Sequence, residues 1–224
     1  PPPPPPGQVL WGVDSVSFIT SSFLSQIANN LGTPQFVGRY LDAISFTPMN
    51  ASEAAYIHSR GIHILPIMSD FGGDTSYSTG VARANDAISK ARALGIPGGT
   101  IIVADIENNS SIDAGYIQGW YNAISGAGYT VGYYENPYPG SSGFNGAFCG
   151  AIGGDSAVAN ALLWSDEPSL GVTPKSSAPA FGPAGLLCNG QDRGGHTTLW
   201  QYGLQGNNSI NVDTDEIQSS VPIW

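Results

Sequence analysis

Positive charge is scarce in this chain of 224 residues: 7 Lys and Arg stand against 17 Asp and Glu, for a formal net charge of −10. That shortage argues against a nucleic-acid partner, which needs basic patches to neutralise phosphate. It argues equally against electrostatic attachment to anionic lipid. Charge of either sign is low, at 11% of residues, while Gly, Ser, Asn and Tyr are plentiful. Such a neutral polar surface suits a secreted or cell-envelope protein. No apolar stretch approaches the roughly 20 residues of a membrane span. Cysteine is almost absent, and Cys149 and Cys188 form no C-x-x-C, which leaves zinc and thioredoxin-like readings without support. In a secreted protein the two would pair and close a long loop; two unpaired buried thiols are the alternative. His58, His63 and His196 show no metal-ligand spacing, and neither a phosphate loop nor G-x-S-x-G occurs. No metal and no cofactor are expected.

Proline, by contrast, is concentrated at the start, where Pro1 to Pro6 form an unbroken run. The run cannot be the apolar core of a signal peptide. It reads as the end of a stiff polyproline linker over residues 1–8, tethering the module to another domain or surface. Residues 9–224 are then one domain, long enough for one substantial core and expected to be a monomer.

Along that domain short apolar runs alternate with helical patterns. Val9 to Val13 reads as a strand, and Ser21 to Leu31 as a helix with Phe23, Leu24, Ile27, Ala28 and Leu31 on one face. Phe36 to Leu41, Ile62 to Met68, Thr100 to Glu107 and Thr130 to Tyr134 read as further strands. Between them fall helices from Asn50, its N-cap, to about Arg60, from Thr79 to Leu94 and from Tyr116 to Ser125. Glu53, three residues after Asn50, completes a variant of the capping box. The pattern then blurs: Tyr138 to Gly154 is Gly-rich, Asp155 to Asn160 is a short helix, and Pro168 to Gly195 is a long Pro/Gly segment. Leu162 to Trp164 and Leu199 to Tyr202 are the last strands. Strand–helix alternation predicts an α/β fold with a parallel sheet. The chain length and the acids recurring at strand ends favour a single TIM-type (β/α) barrel with helices shortened or missing in the third quarter.

Those acids are the candidate chemistry. Asp14, Asp70, Asp105, Glu107 and Asp166 each fall at or just past the C-terminal end of a strand, the face where such barrels carry their sites. Asp105 and Glu107 lie two apart after the apolar run Thr100 to Ala104, so a strand turns both to one face with Cα atoms roughly 6–7 Å apart. Paired carboxylates suit glycosidic bond cleavage. Asp213, beyond the last strand, lies beside the first strand if the barrel closes. Arg39 sits inside a strand, where it either makes a structural ion pair or orients one of the carboxylates. Trp200, Gln201 and Tyr202, with Tyr40, Tyr133, Tyr134 and Trp164, are candidates for a platform on which sugar rings stack. The acids Asp213 to Glu216 lack the EF-hand pattern and read as a solvated turn.

Several of these segments occur together in one group. Trp11-Gly12-Val13-Asp14, Phe36 to Leu41, Ala104-Asp105-Ile106-Glu107, Gly128 to Tyr134, Leu199 to Tyr202 and Asn211-Val212-Asp213 appear in that order. They resemble the glycoside-hydrolase-like barrels known as domain of unknown function 1906, which are similar to the family 25 glycoside hydrolases, N-acetylmuramidases of the lysozyme type. The resemblance implies that Glu107 donates a proton to the leaving glycosidic oxygen. Asp105 then polarises a substrate N-acetyl group or stabilises positive charge on the sugar, with Asp14 and Asp213 as the remaining catalytic acids. The closer group often carries D-x-D where this chain has D-x-E, so Glu107 brings it nearer the muramidases. Tyr134 to Pro137 and Trp164 to Glu167 depart from the muramidase pattern. Expected partners are therefore peptidoglycan or another polysaccharide, bound through Arg39, Tyr40, Asp70, Tyr134, Trp164, Trp200 and Gln201. The alternative is a catalytically degenerate module that binds envelope glycan without cutting it.

Overall fold

The computed structural model describes residues 1–42, 47–69, 75–106, 111–138, 140, 143–189, 196–204 and 210–224, and the backbone of 191–192. Eight strands close into a barrel in the order β1, β10, β9, β6, β5, β4, β3, β2. They are β1 (Val9–Asp14), β2 (Phe36–Tyr40), β3 (His63–Ser69), β4 (Ile101–Asp105), β5 (Thr130–Glu135), β6 (Leu162–Ser165), β9 (Thr197–Gly203) and β10 (Asp213–Gln218). Two more strands, β7 (Leu187–Cys188) and β8 (Gln191–Asp192), make a separate hairpin. Among the described residues five α-helices surround the barrel: α1 (Ser21–Asn30), α2 (Ala51–Ser59), α3 (Tyr77–Leu94), α4 (Ala114–Gly126) and α5 (Phe144–Gly154). The first four start on short polar side chains that accept free backbone N–H groups: Thr20, Asn50, Ser76 and Asp113. Asn50 caps as expected, but Glu53 does not reach back to it; its carboxylate bonds Ile19 N and Arg39 instead.

The TIM-type expectation holds with one modification. β1 to β6 and β9 run parallel, but β10 is antiparallel to both of its neighbours. The acids read as a solvated turn are therefore the body of the closing strand. Thr214, Asp215 and Glu216 are all buried in it. Acidic composition masked the strand, because its period-2 pattern places carboxylates rather than aliphatics on the inner face.

Alternation along each strand sorts the core into two layers. Leu10, Phe36, Leu65, Ile67, Val103, Trp164, Leu199 and Ile217 fill the barrel. Trp11, Val37, Ile64, Ile102, Val131, Leu163 and Trp200 face outward under the helices. Between β6 and β9, where a (β/α) unit would supply a helix, the long Pro/Gly segment takes over. Phe181 packs edge-on against Trp200, whose indole donates to Pro168 O at 3.2 Å. A disulfide between Cys149 in α5 and Cys188 in β7, 39 residues apart, anchors this segment. A closed loop of that length restricts the unfolded chain by about 3–4 kcal/mol. A Cys149→Ala/Cys188→Ala variant is expected to lose about that much stability in denaturant unfolding.

Glu216 sits on the outer face of β10, in register with Trp11 and Trp200. Burial raises its pKa from 4.5 to about 7. A carboxyl raised in the folded state contributes stability that is full below its unfolded pKa and lost as pH rises through the folded one. Glu216→Gln is therefore expected to flatten the fall in stability between pH 4.5 and about 7. It also raises the unfolding midpoint at pH 8, which thermal melts across a pH series will show.

Candidate functional site

The inner-facing residues at the C-terminal end of the barrel form an acidic mouth. Asp14 closes β1 and Asp105 closes β4, each 3% exposed, and Asp213 opens β10 directly opposite Asp14. Gly38 of β2 makes room for this: a Cβ there would stand 2.6 Å from Asp14 Cβ. Three side chains hold the acids in place. Tyr40 Oη donates to Asp105 Oδ2 at 3.1 Å, and Gln201 Nε2 donates to Asp14 Oδ2 at 2.8 Å. Tyr134 Oη, from the strand beside Asp105, donates to Gln201 Oε1. A chain of hydrogen bonds thus runs from β5 through β9 to β1.

Among the described residues no cation offsets this charge. The Asp14 pKa is raised well above its ordinary value, chiefly by burial and by the charge of Asp213; Asp105 adds to this and the Gln201 bond opposes it. A small cleft of about 60 Å³ opens between Asp14, Tyr40, Val212 and Asp213. Two larger concavities, of about 450 and 480 Å³, lie at the opposite end of the barrel. They are gaps between Pro1 to Pro5 and the barrel base, where His58, His63 and Trp224 sit without an Asp or Glu. Neither concavity is lined by a side-chain carboxylate, whereas Asp14, Asp105 and Asp213 gather at the mouth.

The structure brings together Asp14, Asp105, Asp213, Tyr40, Tyr134 and Gln201. Trp164 also faces inward, but it is 2% exposed and packs edge-on to Tyr134 at 4.7 Å, so it supports that ring rather than offering an open face. Four candidates fall elsewhere. Arg39 points outward, because inner positions of β2 are Phe36, Gly38 and Tyr40. Its guanidinium bonds Glu53 of α2 at 2.7 Å and the Ser15 and Thr47 carbonyls, which makes it a structural ion pair. Trp200 and Tyr202 alternate with Gln201 and lie buried in the outer layer, away from the mouth. Tyr133 does the same, donating to Ile117 O at 2.8 Å. Glu107 and Asp70 lie outside the described residues.

Four acids of this end carry no role in the sequence reading. Asp42, just past β2, accepts from Ser69 N and Oγ and ties β2 to β3. Asp215 lies one inward step below Asp213 on β10. Glu135, at the end of β5, is fully buried with neither carboxylate oxygen bonded, and burial and the neighbouring Asp166 push its pKa well up. Glu167 accepts from Asn136, as Asp166 does. The usable signal for Asp42 and Glu135 was position at a strand end; for Asp215 it was parity with Asp213.

The model of the Rv2525c-like, glycoside hydrolase-like domain family matches residues 33–217. No curated protein matches the chain. Among solved structures, an uncharacterised protein of B. stearothermophilus is 30% identical, with a TM-score of 0.86 over 96% of this chain and 100% of its own. The Tat-secreted protein Rv2525c of Mycobacterium tuberculosis, in complex with HEPES, is 16% identical, with a TM-score of 0.59 over 96% of this chain and 98% of its own. A family 25 glycosyl hydrolase from Bacillus anthracis is 14% identical, with a TM-score of 0.51 over 93% of this chain and 88% of its own. At the two lower identities the likeness is one of fold.

Proposed function

The chain belongs to the Rv2525c-like, glycoside hydrolase-like family, and we propose that it is a secreted glycoside hydrolase acting on peptidoglycan or a related envelope polysaccharide. The observation that carries this reading is the framed acid group at the mouth. Asp105 is held by Tyr40, and Asp14 by Gln201, which Tyr134 holds in turn, with Asp213 beside Asp14. Glu107 follows Asp105 by two residues, the spacing that returns a strand side chain to the same face.

In this mechanism Glu107 gives its proton to the glycosidic oxygen as the C1–O bond breaks. Asp105 faces the positive charge that develops on the sugar, or holds a substrate N-acetyl group against C1. Water adds to C1 and returns a proton to Glu107, restoring the acid. The buried negative charge of Asp14 and Asp213 keeps a neighbouring carboxyl protonated at neutral pH. Tyr40, Tyr134 and Gln201 position the acids and line the sugar's approach, with Asp70 an additional candidate contact.

A reducing-end assay on purified peptidoglycan and a polysaccharide panel, run beside a pull-down on the same glycans, tests the reading. New reducing ends support the enzyme. Retention without reducing ends supports the glycan-binding alternative instead.

A further inference from the structure

Asp215 is the most deeply placed acid of the mouth: it is 0% exposed and faces into the barrel from β10. Neither of its oxygens has a hydrogen-bond partner of good geometry, and the nearby Trp164 indole nitrogen is likewise unbonded. Among the described residues, its surroundings offer no charge to balance an anion. Asp14 from β1, Asp213 from its own strand and Asp105 from β4 are acids, while Gln201 from β9 directs its amide N–H to Asp14. Arg39 is turned out to Glu53, and His63 lies at the barrel base. A buried carboxylate without donor or cation is costly, and neutralisation is the cheaper state. Two carboxyls in contact bond only when one of them carries a proton. Asp14 already accepts from Gln201 at 2.8 Å, whereas the Trp164 indole near Asp215 makes no hydrogen bond of good geometry to it, so the shared proton belongs on Asp215.

We propose that Asp215 is a constitutively protonated positioning residue, whose O–H donates to Asp14 and fixes that carboxylate toward the mouth. The inference rests on the reading of Asp14 as a site acid. It explains why a residue with an unsatisfied carboxylate sits at a position an aliphatic side chain would fill. Proton sharing places the pair's negative charge on Asp14, at the rim, rather than beneath it. Burial foremost, then the charges of Asp14 and Asp213, push the Asp215 pKa well up, with only the Trp164 indole opposing, in agreement with the geometry.

Infrared difference spectroscopy of the intact chain at pH 7 is the first test, because it needs no substrate. The wild type is expected to show the C=O stretch of a protonated carboxyl that Asp215→Asn removes. Glu135, a second fully buried unbonded carboxyl among the described residues, and Glu216, with its pKa at about 7, account for separate components that Glu135→Gln and Glu216→Gln remove and Asp215→Asn leaves. An unchanged spectrum in Asp215→Asn shows the side chain ionised and overturns the proposal. The second test separates positioning from packing. Asp215→Asn keeps an N–H donor, so the pH profile of glycan turnover should stay within about threefold of wild type. Asp215→Leu fills similar volume without a donor, and should move the limb governed by Asp14 up by about one pH unit. Equal profiles for the Leu and Asn variants overturn the positioning role. A wild type inactive on every glycan defeats the proposed function, yet the infrared result still decides the protonation of Asp215.

Discussion

Glu107→Gln is expected to abolish turnover while leaving the fold and glycan retention intact. Glutamine matches the shape of a protonated glutamic acid but has no proton to give to the leaving oxygen. A positioned general acid contributes roughly 10²–10⁴-fold to a rate, so reducing-end release should fall by about that factor. Burial and like charge, both present at the described part of the mouth, favour the protonated form of a carboxyl. Asp105, two residues earlier, is 3% exposed, and Asp14 beside it already has its pKa raised by burial and by Asp213. Glu107 follows Asp105 by two residues, the period that returns a strand side chain to the same face. Asp105→Asn tests the partner role: it removes the charge facing C1 but keeps a group that Tyr40 can bond, so it should also lower turnover without loosening the mouth. Unchanged hydrolysis by Glu107→Gln, on any glycan the wild type cuts, removes it from the mechanism.

Breaking the Arg39–Glu53 pair is expected to produce the largest loss of stability of any single substitution considered. Both side chains are fully buried, and Glu53 takes three hydrogen bonds: two from Arg39, at 2.7 and 3.2 Å, and one from Ile19 N at 2.7 Å. Glu53→Ala strands the guanidinium without its counter-charge, and removal of one partner from such a pair costs about 3–5 kcal/mol. The loss is not a measure of the pair's net worth, because most of it is the unpaired charge. An Arg39→Met/Glu53→Leu double variant removes both charges and should recover most of the stability, as buried ion pairs replaced by apolar groups often do. Denaturant unfolding of the three proteins checks this. A double variant no more stable than Glu53→Ala contradicts it. Because Arg39 faces α2 rather than the mouth, the folded double variant should keep its glycan activity.

The parallel strands and their helices were legible because their chemistry is repetitive. β-branched runs such as Ile101 to Val103 mark strands buried on both faces, and Asn50 and the glycines after the helices mark the turns. Asp14 and Asp105 were legible for the same reason, as acids that end apolar strands. Three features were not. β10 carries Asp213, Asp215 and Glu216 where a strand normally shows aliphatics, so hydrophobic period could not reveal it. α5, Phe144 to Gly154, is rich in glycine, and its helix rests on tertiary packing of Phe144, Ala147, Phe148 and Ala151 rather than on propensity. The facing of Arg39 and Trp200 depends on strand parity, which a shift of one residue reverses. Phe36, Gly38 and Tyr40 line the inside of β2, and Leu199 and Gln201 that of β9, leaving Arg39 and Trp200 outside. The pairing of Asp14 with Asp213 followed from closure, yet the antiparallel direction of the closing strand did not.

The measurement that bears most directly on the mouth as a glycan-cleaving site is a crystal structure of Glu107→Gln with a bound β-linked oligosaccharide of N-acetylated hexosamines. A sugar is expected across the C-terminal mouth, its glycosidic oxygen within hydrogen-bond reach of the amide that replaces the Glu107 carboxyl. Its C1 or N-acetyl group should face Asp105, with Asp14 and Asp213 behind. An oligosaccharide seated at the barrel base, or one crossing the mouth with its glycosidic oxygen turned away from position 107, contradicts it.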